Sequence, residues 1–396
     1  MSCPVRKYPL RQPNNYRPPV PRWQLRLPED LDRVFTAYVG LQRQKDGDDT
    51  TVAAGIATKS VEAWLKGNPP MSHECFEAVD GDDEPGTRVW VCYYTDSGVY
   101  EQAVQALDLS KIYASLGAQN QFIGLWCERF STSRSLLETN YSGLDYLPGL
   151  ARLPGTTTVE HTYSAYWGAA RDRIPDSGED LFEKAADAVA PAKTPAGSGE
   201  HLSGSNYENM VHIRSGQFWE NCNDEERESY ETKLEPTLKT GLGYLWENPL
   251  DTGTIGLRFM RNTRPGEGVL KETCGAGFFR SLGDLEDWAE KHPSHKAIYL
   301  GAIKHAKFFG ESRKFRTWHE VSVLKRGDAT FEYVNCLPRT GAIRPRVTLL
   351  ATWSLDMLKV EDEQYSESSA FYWEREDLNP VPSYKRGIIP ITPQAS

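Results

Sequence analysis

Between Ser281 and Val323 the chain carries four of its eight histidines, His292, His295, His305 and His319. A neutral imidazole is a metal ligand, and with a reference pKa of ~6.5 it is also a proton donor or acceptor near neutrality. Two of the four occupy patterned positions. His295 heads a stripe with Ile298, Tyr299, Ala302 and Ala306 at helical spacing. His319 shares one face of an alternating run with Phe315, Thr317, Val321 and Val323. A histidine on an apolar helix face and another on the inner face of the next strand are placed to flank a buried flat cofactor. Taken singly, each is equally a core histidine hydrogen-bonded to backbone.

The elements that must position this pair read clearly. Ser281 is placed to N-cap a helix, with Asp284 three residues on in a capping-box pattern. Leu282, Leu285, Trp288 and Ala289 share its apolar face, and Pro293 stops it before a second helix starts near Ser294. After Gly310 the period changes to two, giving a strand over 315–324, a Lys-Arg-Gly-Asp turn and a strand over 329–335. Upstream, Met210–Gly216 reads as a strand, Asn223–Trp246 as a helix kinked or restarted at Pro236, and Ile255–Asn262 as a strand. The first half gives strands at Val34–Gln42, Arg88–Thr95 and Phe122–Phe130, with helices at Val52–Lys66 and Tyr100–Leu107 between them. The same order occurs twice. It predicts an α+β fold, a duplicated ferredoxin-like sandwich with helices covering a central antiparallel sheet.

The expected organisation is a Pro-rich arm at 1–22 and a first half at 23–180. An Ala/Pro/Gly/Ser-rich loop at 181–206, a second half at 207–350 and a C-terminal extension at 351–396 follow. The arm is expected to lie on the surface or across a partner subunit, and residues 352–377 to pack on the body. A net charge of −10 argues against a nucleic-acid or anionic-membrane partner. No apolar run approaches the ~20 residues of a membrane span, and the N-terminus has no apolar core of a secretory signal, so the expectation is a soluble, cytoplasmic protein. Seven scattered cysteines with no CxxC spacing fit reduced thiols rather than zinc or disulfides.

Several strings around the histidines resemble the haem-containing aldoxime dehydratases, the phenylacetaldoxime dehydratase family. They are Ser281 with Trp288-Ala289-Glu290-Lys291-His292-Pro293-Ser294-His295, Trp318-His319-Glu320-Val321-Ser322-Val323 and Phe331-Glu332-Tyr333-Val334-Asn335-Cys336. Upstream, Tyr166-Trp167-Gly168 with Arg171-Asp172-Arg173, and Ile213-Arg214-Ser215-Gly216, agree in the same order. The resemblance runs from about Val20 to Gly341 and weakens between Gly47 and Gly86. It implies the duplicated fold (the dimeric α/β-barrel type) with a haem pocket in the second half, and a homodimer. The implied activity is dehydration of an aldoxime, R–CH=N–OH, to a nitrile, with the substrate nitrogen on ferrous haem. No C-x-x-C-H string is present, so such a haem is held without thioether bonds, as haem b.

By the same resemblance His295 is the axial iron ligand, with His292 the competing candidate and otherwise a helix cap. His319 is the distal proton donor, needed because hydroxide is a poor leaving group. Ser215 matches the serine that bonds the oxime hydroxyl, Arg173 the distal arginine, and Glu138 the carboxylate of the proton network. Arg171 is the alternative to Arg173, and either is equally a structural ion-pair partner. Ile298, Tyr299 and Ala302 are expected as haem walls from periodicity alone, which is also the pattern of core packing. His305 lies off the stripe and is expected at the surface. A haem sensor or carrier would need only His295 and an apolar slot, and a haem peroxidase-like enzyme would have no use for Ser215.

Overall fold

The computed structural model describes residues 6–186, 188, 195–264, 268–343, 354–356 and 372–377. A short strand β1 (Trp23–Arg26) precedes the first half. That half runs β2 (Arg33–Arg43), α1 (Asp48–Gly67), β3 (Ser72–Gly81), β4 (Arg88–Tyr94), α2 (Ser97–Ala106), α3 (Leu109–Ser115) and β5 (Ile123–Ser133). The connection carries β6 (Leu137–Tyr141), β7 (Thr157–Glu160), α4 (Ala170–Arg173) and β8 (Glu200–Ser205). The second half runs β9 (Met210–Phe218), α5 (Asp224–Ser229), α6 (Glu235–Glu247), α7 (Pro249–Thr252), β10 (Thr254–Arg264), β11 (Gly268–Phe279), α8 (Leu282–Lys291), α9 (Pro293–Phe309) and β12 (Arg316–Leu324). β13 (Ala329–Val334), β14 (Ser354–Asp356) and β15 (Tyr372–Asp377) complete the strands among the described residues.

Both halves are β-α-β-β-α-β units with the same strand order. The first pairs as β5-β2-β4-β3 and the second as β12-β9-β11-β10, and the halves join through antiparallel β3 and β10. The α+β, duplicated ferredoxin-like expectation therefore holds. Each half also lends a strand to the other. β6, which follows the first half, pairs with β12 of the second, and β13, which follows the second, pairs with β5 of the first. The duplication survives in one residue pair as well. Trp126 faces Gly40 across β5 and β2, and Trp318 faces Gly216 across β12 and β9. A Cβ on Gly216 would lie 2.3 Å from the Trp318 indole, so only glycine admits the ring there.

The inner faces share one core, in which Tyr38, Trp126 and Phe130 of one half meet Met260, Phe278 and Trp318 of the other. On the outer faces, α1 and α3 cover the first half through Ala57, Val61 and Leu109. α6 and α8 cover the second through Leu242, Leu285 and Trp288, against Val211, Ile213 and Val321. Burying each such large side chain contributes roughly 1.5–3 kcal/mol.

Within the two repeated units β3 and β11 escaped the sequence reading, as did β1, β6 and β7 outside them. β3 carries Glu74, a core-facing carboxylate that pairs at 2.7 Å with the fully buried Arg214, so its inner face does not read as apolar. β11 contains Gly275 and Gly277, where a Cβ at 277 would sit 2.6 Å from the Leu257 Cα, and glycines there hide a strand pattern. The 181–206 stretch, expected as loop throughout, ends in the strand β8, whose exposed-looking composition is stabilised by pairing with β13. Pro236 restarts the helix as expected: α5 passes through a π-turn at Tyr230–Leu234 into α6, with Pro236 in its first turn. The N-terminal arm, from residue 6, lies along the body of its own chain. Arg6 bonds Ser177 at 2.6 Å, and the backbone N–H of Arg11 and of Gln12 donates to Asp172. The expected packing of 352–377 and the Pro-rich tail fall outside the described residues, apart from the backbone of β14 and β15. Among the described residues no helix is long and apolar enough to cross a membrane.

Candidate active site

His295 owes its direction to the bend between two helices. Ser281 Oγ accepts from the Asp284 N–H at 3.1 Å and starts α8, as its capping pattern predicts. Pro293 forces α8 to end and begins α9. His292 ends α8, its backbone N–H donating to the Trp288 carbonyl, and also caps α9. Its Nδ1 accepts from the Ser294 N–H at 3.3 Å, and its ring stacks on Tyr244 at 3.7 Å. One turn on, His295 Nδ1 lies 2.9 Å from the carbonyl oxygen of Ala289. A carbonyl only accepts, so Nδ1 carries the hydrogen and Nε2 keeps its lone pair. Tyr166 Oη donates to the same carbonyl, and the Trp288 and Trp167 rings flank the imidazole at 4.7 and 5.2 Å. Burial lowers the His295 pKa to about 4, so the ring is neutral near pH 7.

His319 is held by the strand register. β12 runs between β9 and β6, so His319 is paired with Ser215 on one side and Asn140 on the other. Its Nε2 lies 3.0 Å from Glu138 Oε1. Arg173 Nη2 reaches the same oxygen at 2.9 Å, and Arg173 Nε reaches Oε2 at 3.0 Å. The 3.1 Å between Nη2 and His319 Nε2 is thus the third side of a triangle in which two donors converge on one carboxylate oxygen. Both partners of the ion pair are fully buried. Arg173 spends its other guanidinium nitrogen on the carbonyls of Ser164, Tyr166 at 3.2 Å and Ala169 at 3.3 Å. Burial pushes the Glu138 carboxyl up, but Arg173 and His319 outweigh it and bring its pKa down to about 2. For His319 burial dominates and lowers the pKa, against the raising influence of Glu138.

These two constructions face one cavity. His295, Ile298, Tyr299 and Ala302 of α9 line one side, and Ser215, Thr317 and His319 line the sheet side. Glu138 and Arg173 stand behind His319. All eight residues expected at the site are therefore brought together. Arg171, the alternative to Arg173, is turned away into a bidentate contact with Glu286. His305, expected at the surface, is buried instead. Its ring packs on Phe309 and Phe315 at 4.6 and 5.3 Å, because the back of α9 lies over the start of β12.

Sequence reasoning passed over Arg22, Asn140, Trp167 and Gln217, all of which line the cavity. Asn140 was within reach, since it lies two residues from Glu138 and on the same strand face. Trp167 stands in a string that carried the resemblance but has no chemistry to announce a role. Gln217 and Arg22 give no local signal.

One wall of the cavity is apolar and offers a single neutral imidazole with a free Nε2. The facing wall is polar and carries a second histidine with a carboxylate–guanidinium pair behind it. That donor set suits a planar metal macrocycle held by one axial nitrogen. Among the described residues no cluster of three or more His, Cys, Asp or Glu side chains is placed to hold a bare metal ion.

The family described as haem-containing dehydratase matches residues 37–342 of the chain. An aliphatic aldoxime dehydratase from Pseudomonas chlororaphis is 31% identical over 348 residues, 88% of this chain and 97% of that protein. A phenylacetaldoxime dehydratase from Bacillus sp. (strain OxB-1) is 30% identical over 334 residues, 83% of this chain and 92% of that protein. In three dimensions the chain is similar to a crystal structure of an aldoxime dehydratase in complex with butyraldoxime. The TM-score is 0.74 at 29% identity, covering 87% of this chain and 94% of that one.

Proposed function

The chain belongs to the haem-containing dehydratase family, and from that premise we propose that it is a haem-dependent lyase converting aldoximes to nitriles and water. The observation that carries this reading is the opposition of His295 and His319 across one cavity, the first with a free ring nitrogen and the second backed by Glu138 and Arg173. The residues present fit a b-type haem. His295 Nε2 is the nitrogen available to its iron, and Ile298, Tyr299 and Ala302 form the apolar wall. Bound there, ferrous haem supplies a coordination position for the oxime nitrogen and electron density for cleavage of the N–O bond.

The chain's own residues then handle binding and protons. Ser215, paired with His319 in the sheet, is placed to hydrogen-bond the oxime hydroxyl and hold it beside the imidazole. Because His319 Nε2 donates to Glu138, Nδ1 is the atom left to face the substrate. In the imidazolium form Nδ1–H delivers a proton to the oxime oxygen, so that water rather than hydroxide departs. The neutral Nδ1 then takes the proton from the aldoxime carbon, and R–CH=N–OH is converted to R–C≡N and H₂O with no net change in the enzyme. Ionised Glu138 stabilises the imidazolium. Arg173 fixes the carboxylate and keeps it ionised, and the buried pair is tolerated because each charge is matched.

The test is nitrile formation from phenylacetaldoxime and from an aliphatic aldoxime by haem-loaded protein, reduced and free of oxygen, with the Soret spectrum of the same sample. Nitrile formed only after reduction is the expected result. A clear Soret band with no nitrile from either substrate would overturn the dehydratase reading in favour of a sensor or a peroxidase-like enzyme. The reading extends to a homodimer, which rests on the family likeness and is checked by sedimentation.

A further inference from the structure

Six arginines of the chain are deeply buried: Arg22, Arg171, Arg173, Arg214, Arg258 and Arg313. Four of them are matched with carboxylates, Arg171 with Glu286, Arg173 with Glu138, Arg214 with Glu74, and Arg258 with Glu128 and Asp83. The other two are not. Arg22 is 9% exposed and lines the cavity, and among the described residues its side chain bonds only the carbonyl of its neighbour Pro21, at 3.0 Å. Arg313 is 7% exposed, and its Nε approaches His305 Nδ1 at 3.4 Å. Its guanidinium lies 5.1 Å from the ring of Phe315, itself a cavity wall. No carboxylate forms an ion pair with either one among the described residues.

A buried guanidinium without a counter-charge is expensive to maintain, and this fold supplies a carboxylate to the other four. Of the two exceptions, Arg22 lines the cavity and Arg313 packs on Phe315 of its wall. After burial itself, the charge of Arg22 helps to lower the Arg313 pKa to about 9. The aldoxime is neutral and cannot be the missing anion. The porphyrin of haem b carries two carboxylates. We propose that Arg22, with Arg313 behind it, is the anion-binding end of the haem pocket and receives the carboxylate groups of the porphyrin, so fixing how the macrocycle is turned about the axis through His295. This rests on the reading of the cavity as a haem site. Arg22 stands at the end of the N-terminal arm, directly before β1, and Arg313 between α9 and β12. The arm thereby becomes part of the cofactor site.

The test titrates full-length chain, produced without haem, with haem and with its dimethyl ester, in which both carboxylates are blocked. Soret absorbance and quenching of tryptophan fluorescence report binding. The wild-type chain is expected to prefer haem to the diester by tenfold or more. Arg22→Leu is expected to lose that preference by weakening haem alone, Arg22→Lys to restore most of it, and Arg313→Leu to reduce it. Equal wild-type affinity for haem and diester would overturn the proposal without any variant, as would an equal loss of both ligands in Arg22→Leu. Wild-type chain that binds neither ligand would instead remove the haem reading and this proposal with it.

Discussion

His319 Nε2 lies 3.0 Å from Glu138 Oε1, on an oxygen that already receives Arg173 Nη2 at 2.9 Å. The carboxylate is thus shared between a permanent cation and a titrating one. Arg173 keeps it ionised, and the ionised carboxylate in turn makes room for a charged imidazole in a site where burial alone would forbid one. The relationship sets the direction of the pH dependence.

Replacing Glu138 by Gln removes the influence that raises the His319 pKa and leaves burial and Arg173 to lower it further. Turnover requires the protonated ring, so activity falls as pH rises through the His319 pKa. The alkaline limb of the kcat profile in Glu138→Gln should therefore move to lower pH, with activity at neutral pH reduced by up to about tenfold for each unit moved. A profile of unchanged shape, merely scaled down, would show that Glu138 does not act through His319.

The two histidines should separate cleanly by substitution. His319→Ala leaves the Glu138–Arg173 pair intact and strands no buried charge, so the protein should fold and bind haem while losing the ~10²–10⁴-fold that a positioned proton donor supplies. His295→Ala leaves the apolar wall but no axial nitrogen. Its Soret band should be lost or shifted, and added imidazole should bring it back. Full nitrile formation by the first variant, or an unaltered spectrum in the second, would refute the corresponding assignment.

Ser215 stands in the sheet beside His319, so its hydroxyl and the imidazole meet the same substrate oxygen in the proposed reaction. Ser215→Ala should lower kcat by about 10²-fold, the usual loss on removing one donor directed at developing charge. Haem affinity should stay unchanged, because the residue is not on the α9 wall. A rise in KM with unaltered kcat would assign it to binding rather than to the chemical step.

The elements that carry the candidate site were legible because their signals are local. Ser281, Asp284 and Pro293 define the two-helix bend, the stripe from His295 defines the cavity wall, and the alternation around His319 defines its face. The halves were legible as a repeated order of elements. What stayed hidden depends on contacts between distant segments. Glu74 makes β3 look polar because its partner, Arg214, comes from the other half. The Gly-containing stretch of β11 looks structureless because Leu257 packs against its backbone. The exchange of β6 and β13 leaves no mark in either strand. The repeated Gly–Trp pair, Gly40 with Trp126 and Gly216 with Trp318, becomes a repeat only when the register is known. His305 reads as a surface residue because helical spacing places it off the apolar stripe, and it is buried by a strand that follows α9.

The haem-free protein should be acid-labile in a defined window. Burial, the leading cause each time, lowers His161, His295 and His305 to about 4 and His212 to about 3. In the unfolded chain all four titrate near pH 6.5. Between those values the unfolded state binds more protons than the folded one, so stability is full above about pH 6.5 and is lost as pH falls toward 4. Glu272 works the other way. Burial raises it to about 7, so the folded state holds its proton first and offsets one of the four histidines. Glu138, depressed from 4.5 to about 2, adds to acid lability as pH falls between those values, below most of this window. Denaturant unfolding of haem-free protein from pH 7.5 down to 4.5 should therefore give a falling stability with a net uptake of protons on unfolding. His295→Leu should flatten the slope by about 1.4 kcal/mol per pH unit, the contribution of one proton. A stability that is level across this range would mean that the four histidines are accessible to protonation in the folded chain, and His295 would then lose the neutral, buried character on which its place as iron ligand depends.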